Sequence, residues 1–419
     1  MTWKPLGTRK SYFFRNFLIY EAMQRKFFDA ISITHPNLLT YREQMSFTHH
    51  DDKENNTEFG EFLLKKCKSD KQFINYVVDS GILSAKKIMR FGKWLYSQDL
   101  SKYNNKQLAR FLMDVSETYM NLFPYFSTTV FVDRIEKEVL TFLENNISYN
   151  VNKKNFPKNH IKNKQNIQNI FMKLITSDKF SIIMLEQIEF LEMAAKTEEM
   201  IKTHHERFFW LPTTDESPPW TVDYFREKVG LKGIDYKDYK KKIEAIYKTQ
   251  QKNKEEKKEI IKRLNPPIYI RQCIRMLEEF TWLRLYSRNI FNFALAHSEP
   301  LFVEIAKRAS ICRNIGTDIN NRKSGTVPIY VDFNKMDTNI KVHHYICSDA
   351  SDDEINNYNG SSDNNSDISN DIITVENIKF CTPYELRDVL IYGKELDKKL
   401  IEQRKEAVLF IYKNGNFSS

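Results

Sequence analysis

From Asn265 to Arg308 the chain carries an apolar stripe, Ile274, Leu277, Phe280, Leu283, Phe291 and Leu295, at the spacing of one face of an α-helix. Pro266-Pro267 stands in front of it, and proline suits a helix start because its missing N–H has no intrahelical partner there. A helix this long owes its stability to packing of that stripe. The rest of the chain must therefore be arranged around it. Ser298-Glu-Pro300 has the serine-then-proline pattern of a fresh start, so a second helix is expected from that point.

Composition agrees with helices. Among 419 residues there are only 11 glycines and 12 prolines, and stripes of 3.6-residue period recur. The expected fold is mainly α: a multi-helix, bundle-like array with a protruding Lys-rich helical arm and a small β element near the C-terminus. An apolar fraction of 41% with 30 phenylalanines and 21 tyrosines excludes a wholly disordered chain. No apolar run reaches the ~18 residues of a membrane span and no signal-peptide core opens the sequence, which points to the cytoplasm and away from a membrane. Cys67, Cys273, Cys312, Cys347 and Cys381 are scattered without a C-x-x-C pair. That suits a reducing compartment and argues against a disulfide framework or a zinc site. The net charge of +9 fits solvated lysines, and nucleic acid is not the expected partner because the basic runs carry no nucleic-acid motif.

Five segments are expected. Residues 1–149 form an N-terminal helical subdomain, opening with a helix through Tyr12, Phe17 and Phe27. Within it, His49 to Thr57 reads as a loop and Gly81 as a break between short helices. Asn104-Asn-Lys-Gln107 reads as a capping box, and Phe123-Pro124-Tyr125 as the interruption of the helix it starts. Residues 150–166, with five lysines and no acid, form a linker. Residues 167–311 form a central subdomain. It holds a short helix, a long one from near Ser177 to His205, and a loop from Leu211 to Trp220 with three prolines. A short helix ended by Gly230 follows, then a Lys-rich stretch from Tyr236 to Arg263 that reads as a solvent-exposed hairpin or coiled-coil arm. Residues 312–379 lose helical periodicity, with short strands at Val327 to Val331 and Ile340 to Ile346 and a disordered acidic insertion at 348–371. Residues 380–419 regain order: Thr382-Pro-Tyr-Glu385 starts a helix, another ends at Glu406, and Ala407 to Tyr412 is a strand entering a turn. With no strand returning from that turn, the end at Ser419 reads as unfinished, which suits either a fragment or a standalone remnant.

Chemical motifs are sparse. No G-x-G occurs, so a glycine-rich phosphate loop is not expected. His205-Glu206 begins like a zinc-protease motif, but Phe209 stands where the second histidine belongs. The pairs His49-His50, His204-His205 and His343-His344 place neighbours on different faces and read as structural or surface groups. Arg271 with Arg275, and Arg284 with Arg288, project one turn apart and could clamp a phosphate or carboxylate. The plainer alternative is internal ion pairing with Glu278 or Glu186. Trp210 and Trp220 could stack on a ligand or anchor the proline loop.

Several segments, in order, resemble the helical region of phosphoenolpyruvate-utilising enzymes, the phosphoenolpyruvate synthase-like proteins. They are Trp210-Leu-Pro with Pro-Pro-Trp220-Thr-Val-Asp-Tyr-Phe, then Phe280-Thr-Trp-Leu-Arg284-Leu-Tyr-Ser-Arg288, then Leu301 to Arg308. Phe380-Cys-Thr-Pro-Tyr-Glu-Leu386, Leu396 to Arg404 and Val408 to Ile411 follow. The resemblance implies a phosphotransfer context in which this region leads into a swivelling phosphohistidine domain. No histidine follows His344 here, and neither an ATP-grasp part nor a phosphoenolpyruvate-binding barrel is recognisable. The resemblance therefore carries over no catalytic residue and no cofactor or metal, with ATP and Mg entering only through a partner domain. It implies a substrate-binding or docking region that meets a phosphohistidine-type domain, another protein chain or a phosphate-bearing small molecule. Trp210, Trp220, Arg271, Arg275, Arg284 and Arg288 are the candidate ligand-binding residues. Two readings stand beside it: a non-enzymatic helical scaffold binding a protein partner, and a basic RNA-binding protein using residues 150–166 and the Lys-rich arm.

Overall fold

The computed structural model describes residues 3–43, 46–152, 164–193, 197–214, 217–230, 236–319 and 373–418. It is mainly α-helical. The elements are β1 (Trp3–Lys10), α1 (Phe13–Arg25), α2 (Phe27–Ile31), β2 (Leu38–Glu43), β3 (Ser46–Asp52), α3 (Lys53–Ser69) and α4 (Phe73–Tyr96). After a 3₁₀ turn (Leu100–Lys102) come α5 (Asn105–Thr128), α6 (Asp133–Asn152), α7 (Lys164–Ile175), α8 (Ile182–Glu192) and α9 (Glu198–Phe208). Then follow α10 (Val222–Gly230), α11 (Tyr236–Leu264) and α12 (Ile268–Ile319). The last are α13 (Val375–Ile378), α14 (Pro383–Tyr392), α15 (Lys398–Glu406), β4 (Ala407–Lys413) and β5 (Asn416–Ser418).

The long arginine-bearing helix is α12, and it extends further than expected. Ser298 does not start a new helix; its hydroxyl donates back to the Ala294 carbonyl at 2.8 Å. Pro300 lies inside α12. An interior proline costs roughly 3 kcal/mol. Ile290, Phe291 and Phe293 before it, with Leu301, Phe302 and Ile305 after it, are all buried, each contributing about 1.5–3 kcal/mol. Packing outweighs the broken hydrogen bond. Pro124 likewise lies within α5 instead of interrupting it, between buried Leu122, Phe123 and Ser127.

Two cores share α12. One gathers Phe27, Phe59, Val77, Ile135, Leu174 and the α12 residues Cys273 to Leu283. The other gathers Phe13, Tyr20, Leu95, Leu112, Trp210, the α12 residues Ile290 to Ala309, and Phe380, Leu386 and Phe410. Each core thus draws on more than one of the expected subdomains. Gly81 does not break a helix: α4 runs through it, and a Cβ there would stand 3.0 Å from Leu283 and 3.2 Å from Tyr125. Glycine is the residue that lets α4 lie close against α5 and α12.

The expected β element is larger than a C-terminal strand. An antiparallel five-stranded sheet, ordered β1-β3-β2-β4-β5, joins both ends of the sequence. The residues from His49 expected as loop are the end of β3 and the start of α3, with Asp52 as cap accepting from the Glu54 N–H. The turn after β4 does return as β5, through Asn414 and Gly415, both at positive φ. On the inner face Tyr20 stacks on Phe410 and donates to the Thr40 hydroxyl at 2.6 Å.

Other expectations divide. The Asn104–Gln107 and Thr382–Glu385 capping boxes are both present, and α14 ends on Gly393 in the left-handed region. The stretch from Ile167 to His205 is three helices, α7 to α9, because Ser181 and Thr197 each cap a new start. The Lys-rich stretch is one helix, and it is not a free arm along its length. The buried Lys257 ammonium donates to the Thr176 carbonyl at 2.6 Å, to Asp178 at 3.0 Å and to Glu278 at 2.7 Å. Helices enter both ends of the expected linker, at Asn152 and Lys164. The strands near Val327 and Ile340 and the acidic insertion at 348–371 lie outside the described residues. No described helix is long and apolar enough to cross a membrane.

Candidate functional site

Four of the six residues singled out from sequence are taken up by contacts within the fold. Trp210 is buried, donates from Nε1 to the Arg207 carbonyl at 2.7 Å, and meets Phe293 edge-on, so it anchors its loop. Trp220 is half-buried and stacked on Tyr224 at 4.8 Å. Arg271 closes the turn before its own helix, donating to the Pro266 carbonyl at 2.8 Å and to Asn265 at 2.9 Å. Arg275 donates to Asn75 on α4. Arg284 is half-buried within electrostatic reach of Glu136, and Arg288 is exposed. The glutamates named as their alternative partners are engaged elsewhere: Glu278 with Lys257, and Glu186 with Lys228 and the His204 ring.

His35, His204 and His297 are buried in the fold, and His343-His344 lies outside the described residues. His204 is fully buried, with Nε2 3.3 Å from Glu186 and Nδ1 3.3 Å from Glu189, and Lys228 reaches Glu186 at 3.1 Å. This ionic knot ties α8, α9 and α10 together. Burial holds the Glu186 carboxyl up, but its hydrogen bond from His204 and the Lys228 charge pull it below the usual carboxylate range. His35 and His297 are buried among aromatic rings, and burial lowers both to about 4. Among the described residues no His/Cys/Asp/Glu group could hold a metal ion. A recess of about 210 Å³ lies between α14 and α15, smaller than a typical ligand pocket of roughly 300 Å³ or more. Within it Glu385 pairs with Arg404 at 2.7 Å and Asp388 with Lys394 at 2.7 Å, Glu395 and Asp397 leave its lining net acidic, and burial pushes the Cys381 thiol up to about 12.

A different surface stands out where the end of α4 meets the start of α5. From Gly81 to Phe111 there are seven basic residues, Lys86, Lys87, Arg90, Lys93, Lys102, Lys106 and Arg110, against a single acid, Asp99. All seven are exposed. Lys102 pairs with Asp99 at 3.2 Å and Arg110 approaches Asp114 at 3.8 Å. Lys86, Lys87, Arg90 and Lys93 have no ion-pair partner among the described residues. Aromatic rings run between the cations. Phe91 stacks on Trp94 at 5.5 Å, Trp94 meets Phe111 edge-on at 5.0 Å, and Phe111 meets Tyr103 at 5.0 Å. Trp94 remains 39% exposed.

The ladder is held from behind. Ile88 and Leu95 are buried, and Gly92 lies so near α12 that a Cβ would stand 2.7 Å from the Phe293 ring. Lys106 sits in the first turn of α5, which contains no acid. A cation there opposes the helix dipole by about 0.3–1 kcal/mol. Sequence reasoning missed this surface because it read the stretch only as short helices broken at Gly81. The signal was legible in the acid-free run from Ser80 to Gln98. The tertiary pairing of α4 with α5 was not. No family model, no curated protein and no solved structure matches the chain, so the phosphoenolpyruvate-utilising resemblance rests on the quoted segments alone.

Proposed function

We propose that this protein is a helical scaffold that docks an anionic partner through the α4–α5 face. The observation that carries the reading is the set of four cations without an ion-pair partner among the described residues, Lys86, Lys87, Arg90 and Lys93, beside a fixed aromatic ladder. Charged side chains that find no internal partner add little to folding, yet together they create a positive field that steers and holds an anion. The Lys-rich α11 is a weaker candidate, because Glu244, Glu255, Glu256 and Glu259 are interspersed among its lysines. Immobilised dextran sulfate tests the proposal. The protein is expected to be retained and to elute with salt, and K87E/R90E to elute at markedly lower salt with an unchanged melting transition. Equal retention of the variant would sink the reading.

A second reading keeps the phosphotransfer context, with this chain docking a phosphohistidine-type domain or a phosphate-bearing small molecule. Arg284 and Arg288 support it: they lie one turn apart on α12, and neither makes a hydrogen bond or ion pair among the described residues. R284A/R288A is expected to weaken binding of phosphoenolpyruvate, followed by calorimetry, by about tenfold or more. An identical titration for the variant and the parent excludes this reading.

A further inference from the structure

Resting on the docking reading of the α4–α5 face, we infer that its partner is a single-stranded nucleic acid, held by phosphate contacts to the cations and by a base stacked against Trp94. Proteins that hold single strands combine a row of cations that follows the backbone with ring faces that take the bases. Both parts are present here, on one rigid support. Lys86, Arg90 and Lys93 follow one another at intervals of four and three residues on α4, about 6 and 4.5 Å of rise, and Lys102, Lys106 and Arg110 continue the positive field across the turn.

Trp94 is supported on one side by Phe91 and edge-on by Phe111, and Tyr103 braces Phe111 in turn. A ring braced in this way loses little freedom when a base covers it, so most of the stacking energy appears as affinity. Trp94 and Arg90 lie one turn apart, which puts a guanidinium beside the stacking ring.

The same observations argue against the other anionic partners. A membrane surface would take a helix by its apolar face, but Ile74, Val77, Ala85, Ile88 and Leu95 already occupy that face of α4 in the core. An acidic peptide would satisfy the cations, but its carboxylates supply no planar ring for Trp94, whereas every nucleotide brings a phosphate and a base together. A duplex would offer phosphates but keep its bases stacked on each other.

The experiment uses the full chain and a labelled oligouridine of about twelve nucleotides, followed by anisotropy and by Trp fluorescence. Binding is expected to weaken steeply between about 50 and 200 mM salt, and the indole emission to be quenched. W94A is expected to bind roughly tenfold more weakly, W94F to recover part of the loss, and R90E to bind more weakly still. R90E changes an exposed side chain with no ion-pair partner among the described residues, so it reports on binding even if W94A disturbs the ladder. Polyglutamate and a duplex of the same sequence are run beside it. If polyglutamate or the duplex binds as tightly as oligouridine and W94A leaves the affinity unchanged, the nucleic-acid inference falls while anionic docking stands. If none of the three binds and dextran sulfate does not retain the protein, both fall. Tighter binding to anionic vesicles than to oligouridine also overturns the inference.

Discussion

His35 is gripped at both ring nitrogens, with Nδ1 2.6 Å from the Pro36 carbonyl and Nε2 2.7 Å from the Ser127 hydroxyl. A carbonyl can only accept, so Nδ1 carries the proton, and in the neutral ring Nε2 accepts from the serine hydroxyl. Phe27, Phe131 and Tyr412 surround it edge-on. His297 is stacked on Phe293 and donates from Nδ1 to that residue's carbonyl at 2.9 Å. Burial lowers both to about 4, and the nearby Lys93 charge adds to this at His297. In the unfolded chain each histidine takes up a proton near its ordinary value of about 6.5, while the folded one stays neutral. The unfolded state therefore binds more protons between these limits, and stability falls as pH drops from about 6.5 towards 4. Each histidine is expected to cost about 2 kcal/mol between about pH 7 and 5, read from urea midpoints. A flat profile over that range would show that neither ring is held neutral.

Among the elements, α4 joins the scaffold to its surface. One side packs on α12 through the bare backbone of Gly81 and Gly92, and the other carries Lys86, Lys87, Arg90 and Trp94. In an exposed helix, Gly→Ala gains up to about 1 kcal/mol of propensity. At Gly92 the added methyl would meet the Phe293 ring at 2.7 Å, and that ring is itself wedged against His297 and Trp210. G92A is therefore expected to destabilise by about 1–3 kcal/mol, measured as a lower urea midpoint. A rise in stability would show that α4 and α12 are free to separate. Where helices begin was legible because caps act within four residues, as at Asn104 and Thr382. Where they continue was not: Pro124, Pro300 and Gly81 each carry a breaker's signature, overruled by buried neighbours distant in sequence.

At the scale of the whole molecule, α12 is a pillar serving two cores, and the sheet fastens the first strands to the last. The Thr40–Phe410 pairing in β2 and β4 bridges almost the entire sequence. Local reading found β4 from its apolar run. It had no means of finding β1, β2 and β3, whose polar residues become strand only when neighbours supply hydrogen bonds and a covering face. The candidate ligand residues divide for the same reason. Trp210 and Arg271 are spent on their own loop and turn, while the α4–α5 surface arises from two segments that became adjacent on folding. The sequence by itself determined the mainly helical class, the caps, the turn residues and the excess of uncompensated lysines near Trp94, because these depend on side chains a few positions apart. Which helices run through their prolines, which aromatics are buried and which cations stand together were decided by the tertiary structure. Those outcomes depend on burial, and burial is a property of contacts between residues far apart in the chain.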